Sequence, residues 1–169
     1  SDRSASSSPP SPSPTVAGTP TAAVVATTLH EAIIADDANA VRSLIAAGNV
    51  KFDELDADGM TPLNSAVKHN AVNALSVLLQ PKQLPKKVLN LPDQFGYTPL
   101  HWAARSVVAN GAGDGALVQL IAVPSIDINA RNDDGNTPLR YFAERCASPA
   151  CEQLLALLLQ RGADVNARN

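Results

Sequence analysis

Four short segments of this chain are copies of one another: Thr27-Thr28-Leu29-His30, Thr61-Pro62-Leu63-Asn64, Thr98-Pro99-Leu100-His101 and Thr137-Pro138-Leu139-Arg140. Their leading threonines stand 34, 37 and 39 residues apart, and the last three copies follow a turn dipeptide, Asp58-Gly59, Phe95-Gly96 or Asp134-Gly135. Self-similarity at this period is the mark of a solenoid. One unit is too small to bury its own apolar face, so neighbours must stack to make a core. This excludes most single-core architectures before any residue is weighed for chemistry.

Each unit follows from elementary preferences. Proline suits the first turn of a helix, where its missing N–H has no partner to lose. The threonine before it is a good N-cap, and the glycine before that suits a tight turn with positive φ. A helix of small residues comes next, as in Ala103-Ala104 behind Trp102, and lets neighbouring helices approach closely. A second helix carries apolar residues at three- and four-residue spacing, which places each set on one face. The sets are Val41, Leu44 and Ile45; Leu75, Leu78 and Leu79; Leu117, Leu120 and Ile121; Leu155, Leu158 and Leu159. An extended return closes the unit, clearest in Gly162-Ala163-Asp164-Val165-Asn166.

This order of turn, helix, turn, helix and hairpin resembles the ankyrin repeat. The resemblance covers residues 26–169, in copies at about 26–58, 59–94, 95–133 and 134–169, and leaves out a tail at 1–25. It implies an all-α, ankyrin-repeat solenoid of stacked helix-turn-helix units with projecting hairpin loops. In function it implies a non-catalytic interaction module or scaffold that binds another protein. It further implies that His30 and His101, fourth in their motifs, are structural and tie a turn to its neighbour. His69 ends the first helix of copy two and reads as a surface contact. Several features depart from the usual pattern, whose period is about 33. Extra residues fall between the helices of copies three and four, at Val107–Gly115 and Cys146–Glu152, and after the second helix of copy two, around Gln80–Val88. In copy four Arg140 replaces the histidine, and Phe142 stands where a small alanine is usual, so core packing is expected to adjust around it.

The tail is Ser, Pro, Thr and Ala with little that is large. It cannot bury enough surface to offset the entropy of ordering, so it reads as a flexible linker. A ligand for a proline-binding module is the alternative, because Pro9-Pro10-Ser11-Pro12 has the right spacing. Net charge is −3 with a pI of about 5.5, and the densest basic spot is Pro85-Lys86-Lys87. Nucleic acid, which calls for a basic patch or stripe, is not an expected partner. No apolar run reaches the ~18 residues of a membrane span, and no charged-then-apolar leader opens the chain, so direct membrane insertion is not expected. A first residue of serine has three explanations: a trimmed methionine, a cut chain or a removed targeting segment. The default location is cytoplasmic; the third explanation makes it periplasmic or secreted.

Catalytic patterns are absent. His30-Glu31 lacks the second histidine of a zinc protease, and Gly111-Ala112-Gly113-Asp114-Gly115, read as a flexible inter-helix insertion, lacks the strand before it and the Lys-Ser/Thr of a phosphate loop. There is no Gly-x-Ser-x-Gly elbow. Asp56, Asp58, Asp93, Asp133 and Asp134 fall in turns and fit no EF-hand spacing. Cys146 and Cys151 are either two ordinary thiols or a local disulfide, too few for a disulfide framework or a four-ligand metal site. No cofactor or metal is expected.

Ankyrin arrays bind along the concave side, made by the first helices and the hairpin tips. The resemblance therefore places the partner against residues one and four after each motif: Glu31 and Ile34, Ser65 and Lys68, Trp102 and Arg105, Tyr141 and Glu144. Three-residue spacing keeps each pair on one helix face. At the tips it places Met60, Gln94, Phe95, Tyr97, Asp133 and Asn136. The chain has one Trp, two Tyr and three Phe, and Trp102, Tyr97, Tyr141 and Phe95 all fall on this surface with Arg105 among them. Aromatic residues and arginine are the usual interface anchors. The other reading packs Trp102 and Tyr141 between repeats; Phe142 belongs to the core in either case. The last helix, Leu154-Leu155-Ala156-Leu157-Leu158-Leu159, is apolar on more than one face, whereas a terminal repeat needs a polar outer face. Further repeats, the insertions or a second copy are the candidate covers. Two other roles stand beside the plain interaction module: an exported or lipid-anchored periplasmic binding or inhibitor protein, and the regulatory ankyrin arm of a larger enzyme.

Overall fold

A computed structural model of the chain describes residues 28–48, 50–80, 84–110, 114–145 and 149–168. The readings of the tail, of Gly111–Gly113 and of a Cys146–Cys151 pairing fall outside the described residues. The rest is an all-α array, with no strand among the described residues. Its helices come in pairs: α1 (Leu29–Ile34) with α2 (Ala38–Ala46), α3 (Pro62–Lys68) with α4 (Val72–Leu78), α5 (Pro99–Asn110) with α6 (Asp114–Ala122), and α7 (Pro138–Arg145) with α8 (Pro149–Gln160).

The caps show how the motif works. The Thr61 hydroxyl accepts the Asn64 N–H at 3.1 Å, with Pro62 in the first turn. Copy one corrects the expectation, because it has no proline. There Thr28, not Thr27, is the N-cap, and α1 starts one residue later. Its hydroxyl accepts the Glu31 N–H at 3.2 Å, and the Glu31 carboxylate accepts the Thr28 N–H at 2.8 Å, a capping box. Helix α4 lacks a capping side chain of its own. The preceding copy supplies one: Asp36, at φ 51, accepts the Ala74 N–H at 2.8 Å and the Asn73 side-chain amide at 2.7 Å.

Two insertions lengthen helices more than they make loops. Val107 is buried and carries α5 on to Asn110, while Asp114 and Gly115 open α6, so the second half of the glycine-rich segment is helical. In copy four Pro149–Glu152 form the first turn of α8. Copy two's insertion contributes a 3₁₀ turn, Val88–Asn90, whose Val88 and Leu89 are buried.

One apolar cluster runs through all four copies. Ala32, Ala66 and Ala103 occupy equivalent positions, each buried against its neighbours, and Phe142 takes that position in copy four, also completely buried. Helix α5 packs most extensively on α7. Side chains of matching position tie each copy to the next. His30 Nε2 donates to the Met60 carbonyl at 3.2 Å, Asn64 Nδ2 to that of Tyr97 at 3.1 Å, and His101 Nε2 to that of Asn136 at 2.9 Å. Arg140 pairs with Glu144 within its own helix at 3.1 Å. A second set uses asparagine bidentately: Asn90 with the Ser125 carbonyl (2.9 Å) and the Asp127 N–H (2.8 Å), and Asn129 with the Gly162 carbonyl (2.9 Å) and the Asp164 N–H (2.8 Å). On the outer side of copy four Leu157, Leu159 and Val165 are exposed; Val165 is 68% exposed, against 6% for its equivalent Ile128.

His101 makes this packing sensitive to pH. Its Nδ1 accepts the Thr98 N–H at 3.1 Å and lies 2.9 Å from the Thr98 hydroxyl, so the ring is neutral with its proton on Nε2. Burial holds its pKa below the ordinary histidine value, against the pull of the Asn136 hydrogen bond. The unfolded chain therefore binds the proton more readily. The stability that His101 contributes is complete above the ordinary value of about 6.5 and is lost as pH falls from there. Thermal unfolding followed between pH 7 and 5 is expected to show a falling midpoint. The fall should be shallower in His101→Asn, which puts the residue of position 64 at the equivalent site and cannot titrate.

Candidate functional site: an aromatic surface between turns and first helices

Three projecting turns share one design. Asp56, Asp93 and Asn132 begin them, and each side-chain Oδ1 accepts N–H groups from within the turn. Asp93 Oδ1 takes those of Phe95 and Tyr97, both at 2.9 Å. Its other oxygen accepts the Trp102 indole N–H at 2.8 Å, so one nearly buried carboxylate fixes both the turn and the largest side chain on α5.

Around that anchor the aromatic residues gather. The Tyr97 ring centroid lies 5.6 Å from Trp102 and 5.6 Å from Tyr141. The Tyr97 and Tyr141 hydroxyls share a hydrogen bond of 2.9 Å. The Tyr141 oxygen also takes the side-chain amides of Asn132 (3.1 Å) and Asn136 (3.2 Å). That hydrogen bond with Tyr141, with burial second, holds the Tyr97 phenol above its ordinary pKa, so it stays neutral at physiological pH. The Arg105 guanidinium carbon sits 5.2 Å from the Trp102 ring centroid, 5.3 Å from Tyr97 and 5.8 Å from Tyr141, within cation–π range of all three. Lys68 Nζ lies 5.8 Å from the centroid of the same indole and pairs with Asp58 at 3.4 Å. A cleft of about 360 Å³ opens here, lined by Phe95, Tyr97, Trp102, Arg105, Asp133 and Asp134.

The structure thus brings together Phe95, Tyr97, Trp102, Arg105 and Tyr141, with Lys68, Asn136 and Asp133 beside them. Other expected contacts lie elsewhere or are corrected. Met60 and Ser65 are buried and unavailable to a partner. They occupy the positions of Tyr97 and Trp102 in the next copy, but Ser65 is too short to reach past its neighbours and Met60 lies wholly beneath them. Glu31 is engaged in its helix cap and Glu144 in its pair with Arg140. Ile34, 53% exposed, stands on copy one, outside the cluster. Gln94 links two turns, its side-chain amide donating to the Asp58 carbonyl at 2.9 Å. His69 is exposed, and its ring donates to the Ser65 carbonyl at 2.9 Å. Trp102 and Tyr141 are half-buried and pack against the apolar cluster that the repeats share.

Sequence reasoning missed Asp93 as the anchor of Trp102 and Asp134 as a cleft wall; the nine-residue spacing of Asp93 and Trp102 carries no periodic signal. It also missed a larger hollow of about 640 Å³ on the second-helix side, lined by Leu79, Leu84, Leu89, Val123 and Pro124. The insertion after α4 was its only trace in the sequence. Among the described residues lining it, Lys86 is the one that carries a charge. Among the described residues no group of three or more His, Cys, Asp or Glu is placed to hold a metal ion, and no helix is long and apolar enough to cross a membrane.

A stacked helical-repeat array with an aromatic surface at its turns is the architecture of a protein-interaction module. Comparison with known proteins agrees. The family described as ankyrin repeats (3 copies) matches residues 22–88 and 82–169. The chain is 31% identical over 144 residues to a probable serine/threonine-protein kinase of Dictyostelium discoideum, covering 83% of this chain and 16% of that protein. It is 33% identical over 101 residues to ankyrin repeat-containing protein kinase A of the same organism (59% of this chain, 7% of that protein). It is 34% identical over 130 residues to neurogenic locus notch homolog protein 1 of Xenopus tropicalis (77% and 5%). The chain belongs to the ankyrin-repeat family. It spans less than a fifth of the length of each of these relatives, and the repeat array itself is non-catalytic.

Proposed function

We propose that this chain binds a protein partner in the angle between the turns and first helices of copies two to four, centred on Trp102. The observation that carries this reading is the open, pre-ordered aromatic cluster. The positions of Trp102 and Tyr141 are set by hydrogen bonds and ring packing before any partner arrives, so binding costs little side-chain ordering. Half-buried aromatics with a polar edge and an arginine among them have the composition of interface hot spots. The test is affinity capture from native lysate with the whole chain. Trp102→Ala and Tyr141→Ala are each expected to weaken capture of a specific protein at least about tenfold, and together to abolish it, with cooperative unfolding retained. Equal capture by wild type and the double variant would move the interface elsewhere.

A second reading is favoured by the relatives: two are protein kinases of which the chain matches a small part. In it the array is the docking arm of a longer protein, and the partner bound at Trp102 is brought to the rest of that protein. An antibody against the array, used on native extract, would detect a polypeptide well above 17.6 kDa; a band at that mass would oppose it.

A further inference from the structure

We infer that Arg105 is a carboxylate-binding subsite, and that the partner segment it receives carries an Asp or Glu next to a Lys or Arg. The inference rests on the reading that the partner occupies this angle, and it names the chemistry the angle selects. Arg105 is half-buried, and among the described residues it has no hydrogen-bond acceptor or ion-pair partner. Three rings at 5.2–5.8 Å hold the guanidinium by its π-system and leave its N–H edge unsatisfied. A planar fork of donors fits a carboxylate bidentately, and its fixed position lowers the ordering cost of forming that pair.

The other walls of the cleft set the neighbouring charge. Asp133 and Asp134 line it, both exposed and neither within ion-pair distance of Arg105. Their two negative charges beside one positive charge disfavour a dianion such as a phosphate monoester. They favour a single carboxylate flanked by a base that faces the two aspartates. An acidic residue alone satisfies Arg105 and leaves the aspartates repelling it; an acid–base pair satisfies both. Phe95, 56% exposed at the rim, offers apolar surface to the aliphatic stem of that base.

The probe is a displayed library of random twelve-residue peptides, selected on the whole chain and measured afterwards as fluorescein-labelled synthetic peptides by fluorescence anisotropy, which reads the wild type and every variant alike. The expected result is enrichment of an acidic residue within two positions of a basic one. Arg105→Gln should weaken such peptides about tenfold or more, the scale of a charge-assisted hydrogen bond. Arg105→Lys, which keeps the charge and the fold but loses the planar fork, should recover only part of that. Asp133→Asn with Asp134→Asn, both at the surface, should erase the preference for the base and keep that for the acid. Peptides that need Trp102 but show no acidic position, or bind Arg105→Gln as well as wild type, would overturn the carboxylate subsite and leave the binding surface standing. Phosphopeptides outcompeting their acidic counterparts would overturn it in favour of a phosphate site. Selected peptides indifferent to Trp102→Ala would overturn the surface itself and the subsite with it.

Discussion

Phe142→Ala is expected to lower the stability of the array by about 3–5 kcal/mol, the usual cost of truncating a fully buried phenylalanine. The side chain has no exposed surface and joins the one apolar cluster that spans the chain. Alanine is the native residue at the equivalent positions 32, 66 and 103, which makes the result informative. In those copies the helices close around a methyl group; in copy four α7 packs against a longer α5 and α8, and the ring fills the space between them. Denaturant unfolding monitored through Trp102 gives the number. A loss below about 1 kcal/mol would mean that α7 collapses inward to the spacing of the other copies.

Gly96→Ala is expected to cost about 2–5 kcal/mol, and Gly59→Ala much less, although both glycines sit at the same place in their turns. Each has positive φ, 77° and 72°, which costs a side chain about 1–2 kcal/mol. Their surroundings differ. A methyl group on Gly59 meets the end of the exposed Gln94 side chain at 2.5 Å, which can swing aside with loss of its bond to Asp58. On Gly96 it meets the backbone nitrogen of Asp133 at 2.6 Å and that residue's carboxylate oxygen at 2.5 Å. That backbone belongs to the next turn, so relief requires shifting one turn against another, a form of overpacking worth another ~1–3 kcal/mol. Parallel thermal melts of the two variants check the ranking. Gly96→Ala should also disturb the cleft, since Phe95, Tyr97 and Asp133 flank the clash.

Much of the fold was legible because the motif repeats the same local physics. A threonine cap, a proline in the first turn and glycine at positive φ each act within a few residues, and recurrence across copies removes the ambiguity of any one. Features set by the neighbouring copy were harder to read. Met60 and Ser65 occupy the positions of Tyr97 and Trp102, and only their size against the adjacent repeat decides that they are buried. Thr28 rather than Thr27 caps α1 because a missing proline shifts the helix start, a choice between two adjacent threonines. Asp93 reads in sequence as one more turn former; its second oxygen finds Trp102 through the tertiary fold alone. The aromatic cluster was legible as a concentration of aromatic residues in neighbouring turns and first helices. Its charge pattern, with Arg105 stacked and unpaired beside two aspartates, required the geometry.

The links made by His30, Asn64, His101, Asn90 and Asn129 all run from one copy to its immediate successor. A structure joined this way loses its parts in order, as a stack of plates is lifted from either end. When residues 1–169 are studied by themselves, copies two and three, each held on both sides, should be the last to exchange their amide hydrogens, while copies one and four open earlier. The aromatic cluster straddles copies three and four. A partner that grips Trp102 and Tyr141 together would therefore clamp copy four onto copy three. Its binding would then be legible as slowed exchange along α7 and α8, well beyond the residues it touches.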